Sequence, residues 1–129
     1  MRYLLDTNTV IALFNHNEAL KTKLKACAPA EVCISSLVVH ELYYGAYKSP
    51  RREHNVAKVD SLPFEVLEFD KEDACKAGEI RAELALAGTP IGPYDVLIAG
   101  QALARNLTLI SHNVKEFARI KALNLESWL

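Results

Sequence analysis

Three acidic residues, Asp6, Glu41 and Asp95, stand where a globular chain does not normally place charge. Asp6 follows directly on the apolar run Tyr3-Leu4-Leu5. Glu41 lies on or beside the apolar stripe marked by Leu37, Val38 and Leu42. Asp95 shares a helical face with Ile98, Ala99 and Ala102. A lone carboxylate in a dry apolar site costs several kcal/mol or takes up a proton. Each acid also has a plain structural use on its own. Asp6 can cap a helix, Asp95 can sit in a first turn favoured by the helix dipole, and Glu41 can face solvent. Brought together, the three would repel one another unless a cation neutralised them. Oxygen donors without a His or Cys cluster suit Mg²⁺, with Mn²⁺ as a substitute. The four histidines (His16, His40, His54, His112) have no metal-ligand spacing. His40 adjoins Glu41 in the chain and so points about 100° away on a helix, which assigns it a packed or surface role. An acid-lined cation site can clamp a phosphodiester, activate a water and stabilise the leaving oxygen.

The elements that must position these acids follow from the apolar pattern. Short buried strands are expected at Tyr3–Leu5, Val32–Ile34, Phe64–Phe69, Leu107–Ile110 and Asn124–Leu125. Between them the spacing predicts helices over Thr7–Phe14, Glu18–Ala28, Leu37–Tyr47 with Ser36 as N-cap, and Pro50–Leu62. Further helices are expected from Asp70 as cap to a stop at Gly88, from Gly92-Pro93 to Arg105, and over Val114–Arg119. Strands alternating with helices imply an α/β fold, a central and mostly parallel sheet of four to five strands between helical layers. No linker interrupts residues 1–129, so a single domain is expected. In such sheets a ligand site lies at the carboxyl ends of the strands. Asp6 ends the first strand, Ser35 and Ser36 follow the second, and Ser111-His112-Asn113 follow the fourth.

Composition sets limits on these readings. The chain has 129 residues, 50% hydrophobic and 24% charged, which supports one closed core and excludes a disordered tail. Its net charge is −1, so bulk positive charge cannot carry nucleic-acid binding, and any such contact must be local or cation-assisted. The basic clusters Lys21, Lys23, Lys25 and Lys48, Arg51, Arg52, Lys58 read as solvated helix faces. Three cysteines without a CxxC pair argue against disulfides or zinc and suit a reducing, cytoplasmic setting. No run is long enough for a membrane span, and Asp6 breaks the apolar start of the chain, so no signal peptide is expected.

Over essentially its whole length the sequence resembles the PIN-domain ribonucleases, and within them the VapC toxins of bacterial toxin–antitoxin pairs. The resemblance is carried by Leu4-Leu5-Asp6-Thr7-Asn8 and by Ile34-Ser35-Ser36 leading to His40-Glu41-Leu42-Tyr43-Tyr44-Gly45-Ala46. It continues through Ile80-Arg81-Ala82-Glu83-Leu84 and Gly88-Thr89-Pro90-Ile91-Gly92-Pro93-Tyr94-Asp95 with Ile98-Ala99. Asn113-Val114-Lys115-Glu116-Phe117 and Glu126-Ser127-Trp128 complete it. It implies a PIN-like α/β/α sandwich and an Mg²⁺-dependent endoribonuclease that leaves a 5′-phosphate and a 3′-hydroxyl. Asp6 and Asp95 match the central metal ligands of that family, and Glu41 completes the shell directly or through water. Thr7 and Ser36 match hydroxyl positions near the site, with capping an equal role for Ser36. One departure stands out. Where many PIN domains carry a fourth acid, this chain has Asn113, with Glu116 three residues on. Either one metal is held firmly and a second arrives with RNA, or Glu116 supplies the missing charge.

The resemblance also implies a homodimer and inhibition by a VapB-type antitoxin seated in a groove formed by residues 7–14 and 37–62. The Gly88–Asp95 stretch is similar to enterobacterial members that cut initiator tRNA in its anticodon loop. The expected substrate is therefore RNA of the tRNA class. No DNA-binding element is visible, so operator contacts are expected through the antitoxin. Two other acid-pocket folds fit poorly. A receiver domain would need an acid pair that this chain lacks, and a haloacid-dehalogenase-type phosphatase needs Asp-x-Asp where this chain has Asp6-Thr7-Asn8. The rival within the family is a PIN fold that binds RNA or antitoxin without cutting, because Asn113 brings no charge.

Overall fold

The computed structural model describes residues 1–129. Five short strands form one sheet: β1 (Tyr3–Leu5), β2 (Val32–Ser35), β3 (Glu65–Leu67), β4 (Thr108–Ile110) and β5 (Leu125–Glu126). Their order is β3-β2-β1-β4-β5, and every pairing is parallel. The expectation of a mostly parallel sheet thus resolves to a wholly parallel one. A strand buried on both faces has no use for polar alternation. Leu4 and Leu5 of central β1 are accordingly fully buried, and Leu4 sits in register with Cys33 on one side and Leu109 on the other.

Seven helices flank the sheet: α1 (Thr7–Phe14), α2 (Glu18–Lys25), α3 (Ser36–Lys48), α4 (Arg52–Asp60), α5 (Lys71–Leu86), α6 (Pro93–Ala104) and α7 (Val114–Phe117). A hydrophobic cluster of 25 buried residues runs through the sheet and helices. α5 and α6 pack closely because Gly100 leaves them room. A Cβ at Gly100 would lie 2.5 Å from the Cα of Ala77. α5 stops as its sequence suggests. Gly88 takes φ +71° just beyond the C-cap, and the Thr89 N–H returns to the Leu84 carbonyl. At the other end Asp70 caps α5 through the Asp73 N–H, while the Asp73 carboxylate accepts from the Asp70 N–H.

Several element ends shift by a few residues from expectation, β3 to Glu65–Leu67 and α7 to Val114–Phe117 among them, and three shifts have a local cause. Ser36 is not the cap of α3. Ser35, still extended at φ −77° and ψ 149°, accepts the Leu37 N–H, and Ser36 is the first helical residue. α2 ends at Lys25 rather than at residue 28, and a 3-10 turn covers Pro29–Glu31. Pro29 excludes helical geometry at the residue before it, and Ala28 is extended with its N–H bound by Glu31. α4 starts at Arg52 rather than Pro50, because Arg51 has left helical geometry at ψ 51°.

Candidate metal centre

The parallel register decides where the polar side chains meet. Leu5 pairs with Ile34 on one side and Ile110 on the other, so the next residues, Asp6, Ser35 and Ser111, emerge together at the carboxyl edge of the sheet. All three are buried. Asp6 is held at both oxygens. Its Oδ1 accepts the Thr9 N–H at 2.8 Å, which caps α1, and its Oδ2 accepts the Ser111 hydroxyl at 2.5 Å. The helix-cap use expected of Asp6 is thus observed, and its second oxygen stays at the sheet edge with Ser111. Thr9 contributes further by donating its hydroxyl to the Ile110 carbonyl, which ties α1 to β4.

Glu41 comes from α3, one turn and a half beyond β2, and is half-buried. Thr7 reaches across from α1 and donates its hydroxyl to Glu41 Oε1 at 3.0 Å. Asp95 comes from the first turn of α6. The absent side chain of Gly92 leaves it space, since a Cβ there would lie 3.3 Å from Asp95 Oδ2. Burial, followed by the charges of Glu116, Asp6 and Glu41, pushes the Asp95 carboxyl up to about 6. A hydrogen bond between the Glu116 and Asp95 carboxyl groups acts in the same direction. Part of the shift, after burial, reflects acids facing one another.

Asn113 joins this array indirectly. Its N–H donates to Ser111 Oγ at 3.0 Å and its side-chain amide donates to Glu116 Oε2 at 2.9 Å. It presents Glu116 to Asp95 rather than carrying charge itself. Ser36 stands apart, half-buried in the first turn of α3, while the hydrogen bonds of the acid array pass through Thr7, Ser111 and Asn113. Ser111 was visible in the sequence only as a hydroxyl after an apolar strand. Its role depends on the β1–β4 register, which nothing local encodes.

No three His, Cys, Asp or Glu side chains stand close enough together to hold an ion as they are. The donor set nevertheless fits a hard divalent cation. Mg²⁺ keeps several waters and uses one or two carboxylates, so it does not need a dry protein cage. The charges of Glu116, Asp6 and Glu41, which add to burial in raising Asp95, are what such a cation would offset.

A wholly parallel α/β domain with carboxylates at the carboxyl edge of its sheet is an arrangement that can hold a cation against a phosphodiester. The PIN-domain family model matches residues 3–123, and the chain belongs to that family. It is 42% identical over 131 residues to the tRNA(fMet)-specific endonuclease VapC of Salmonella typhimurium, covering 99% of this chain and 98% of that one. It is 41% identical over 132 residues to the ribonuclease VapC2 of Rickettsia felis, with the same coverage. Among solved structures, the DNA-bound VapBC of Salmonella typhimurium superposes with a TM-score of 0.95 at 40% identity, covering 100% of this chain and 99% of that one.

Proposed function

We propose that this protein is the ribonuclease toxin of a VapBC-type pair, a metal-dependent endoribonuclease that hydrolyses RNA phosphodiester bonds. One observation carries the reading: Asp95 is buried at the carboxyl edge of the sheet within reach of the charges of Glu116, Asp6 and Glu41, and burial together with those charges raises it to about 6. Asp6, Asp95 and Glu41 would hold the cation, Mg²⁺ with Mn²⁺ as a substitute. Bound there, it supplies Lewis-acid stabilisation of the phosphate and a water of lowered pKa. The protein's own residues prepare the site. Ser111 and the Thr9 N–H fix Asp6, and Thr7 fixes Glu41. Asn113 and Glu116 act as a pair, the neutral amide orienting the acid and the acid restoring the missing charge.

The names of the relatives support an initiator tRNA substrate, and the VapBC structures support a VapB-type antitoxin partner. The cleft between α1, α3 and α4, about 250 Å³ and walled by Ile11, Phe14, Leu42 and Val59, suits an apolar antitoxin segment. A homodimer in the cytoplasm, with DNA contacts left to the antitoxin, completes the proposal. No helix is long and apolar enough to cross a membrane. The test is cleavage of total tRNA by purified protein in Mg²⁺, Mn²⁺ or EDTA, with Asp95→Asn beside wild type. A discrete product that needs the cation and is lost in Asp95→Asn supports the enzyme. Intact tRNA under all conditions, from folded protein free of antitoxin, favours the non-cutting PIN fold.

A further inference from the structure

A second recess adjoins the acid array. It measures about 610 Å³, within the range of small-ligand clefts, and its walls include His40, Tyr44 and Tyr94 together with Thr7 and Glu41. His40 and Tyr44 are one helical turn apart on α3, and Lys48 lies a turn further on the same face. Tyr94 faces them from α6, one residue before Asp95. The rings are open to solvent: Tyr44 is 60% exposed and Tyr94 43%. His40 and Tyr94 lie 5.9 Å apart at 35°, and the Lys48 ammonium stands 4.8 Å from the Tyr44 ring centre. Burial therefore does not account for these aromatics, and the acids need no aromatic wall to hold a cation.

We propose that this recess receives one unpaired nucleobase of the RNA, next to the phosphate that is cut, stacked against Tyr44 and Tyr94. The assignment rests on the ribonuclease reading above. Aromatic faces are what unstacked bases bind, and a nearby cation suits the adjoining phosphate. Because Thr7 and Glu41 line both the recess and the acid array, a base held here belongs to a nucleotide flanking the scissile bond. With a net charge of −1, the protein cannot gain this positioning from long-range attraction. A VapB-type antitoxin is the competing occupant, since Ile11 and Glu41 line both this recess and the α1–α3–α4 cleft, but the recess is walled by three rings, His40, Tyr44 and Tyr94, whereas Phe14 is the one ring of the cleft.

The test is single-turnover cleavage of a tRNA stem-loop and of versions carrying one abasic nucleotide at each position flanking the cut. Wild type, Tyr44→Ala, Tyr44→Phe and Tyr94→Ala are compared, with inhibition by a VapB-type antitoxin measured alongside. Tyr44→Ala and Tyr94→Ala should weaken the half-saturating RNA concentration on the order of tenfold to a hundredfold, with the maximal rate of Tyr44→Ala little changed. Tyr44→Phe should retain wild-type behaviour. One abasic position should cost wild type a similar factor and cost Tyr44→Ala less than it costs wild type, since only Tyr94 is left to stack on the base. The base-binding assignment is overturned if both alanine variants cut every substrate as wild type does. Loss of antitoxin inhibition alone would give the recess to the antitoxin. Failure of wild type to cut any RNA would instead remove the ribonuclease reading and this assignment with it.

Discussion

Asp95 concentrates the electrostatic tension of the site. Its carboxyl, pushed up to about 6 by burial and by Glu116, Asp6 and Glu41, holds below that pH a proton that a cation must displace. The folded value lies above the ordinary range for an aspartate in an unfolded chain, roughly 3.9. The folded state therefore binds more protons between those two values, and stability without metal falls as pH rises through that window. Cation binding should run the opposite way and strengthen as pH rises through about 6. Melting temperatures from pH 4 to 8, with and without Mn²⁺, check this: the increment from Mn²⁺ should be small at pH 5 and largest above pH 7. A pH-independent increment would remove Asp95 from the cation site. Ser111 offers a second test at the same scale. It donates to Asp6 and touches no substrate-facing group in the array except through Asp6 and Asn113. Ser111→Ala should weaken cation affinity roughly 10–100-fold, as loss of an orienting partner does, measured by metal titration of activity.

Between helices, the most consequential contacts lie away from the site. Asp73 in α5 is 1% exposed and takes the Arg105 guanidinium at 3.0 Å, the Gln101 amide at 3.0 Å and the Asp70 N–H. Burial alone would raise the Asp73 carboxyl, but the Arg105, Asp70 and Gln101 hydrogen bonds together hold it below its usual value. Arg105→Ala should destabilise the fold by about 3 kcal/mol, the low end for breaking a buried pair because the Arg105 side chain is 30% exposed. A depressed acid stabilises the fold above its unfolded pKa and loses that contribution as pH falls through its folded value. The Arg105→Ala deficit, read by urea unfolding, should therefore be full at pH 7 and shrink below about pH 4. Gly100→Ala should cost about 1–3 kcal/mol by forcing α5 and α6 apart at Ala77. Neither feature was legible in the sequence. Asp73 reads locally as a first-turn acid that suits the helix dipole, and only the α5–α6 contact reveals it as a buried partner of Arg105. Most elements were legible because apolar runs and punctuation agree: Asp70 and Gly88 bracket α5, and Gly92-Pro93 opens α6. The errors fell where side chains compete for adjacent caps, as at Ser35 and Ser36, or where a proline acts on the residue before it, as at Pro29. Asp6, Glu41 and Asp95 were legible as charges out of place, whereas the use of Ser111 and of the Asn113–Glu116 pair depended on register and on a hydrogen bond.

Across the whole molecule, charge limits how RNA can be held. The net charge of −1 leaves no general attraction for a polyanion, and the acid array repels one until a cation is bound. The basic side chains of α3, α4 and the turn between them are Lys48, Arg51, Arg52 and Lys58, and several already have partners. Lys48 lies over Tyr44, Lys58 over Phe14, and Arg52 both faces the Tyr47 ring and donates to the Tyr47 carbonyl. With these four as the phosphate contacts, each single-strand phosphate neutralised contributes roughly −0.7 to the slope of log affinity against log salt. The expected slope for a single-stranded anticodon loop is thus no steeper than about −3. It can be measured from the half-saturating RNA concentration between low and moderate KCl at saturating Mg²⁺. Arg51→Ala, which removes an exposed cation without an aromatic partner, should flatten the slope by about 0.7 and leave the maximal rate unchanged. A markedly steeper slope in wild type would mean that RNA spans further basic surface, such as Lys21, Lys23 and Lys25 on α2, and that the footprint is wider than the face carrying the acids.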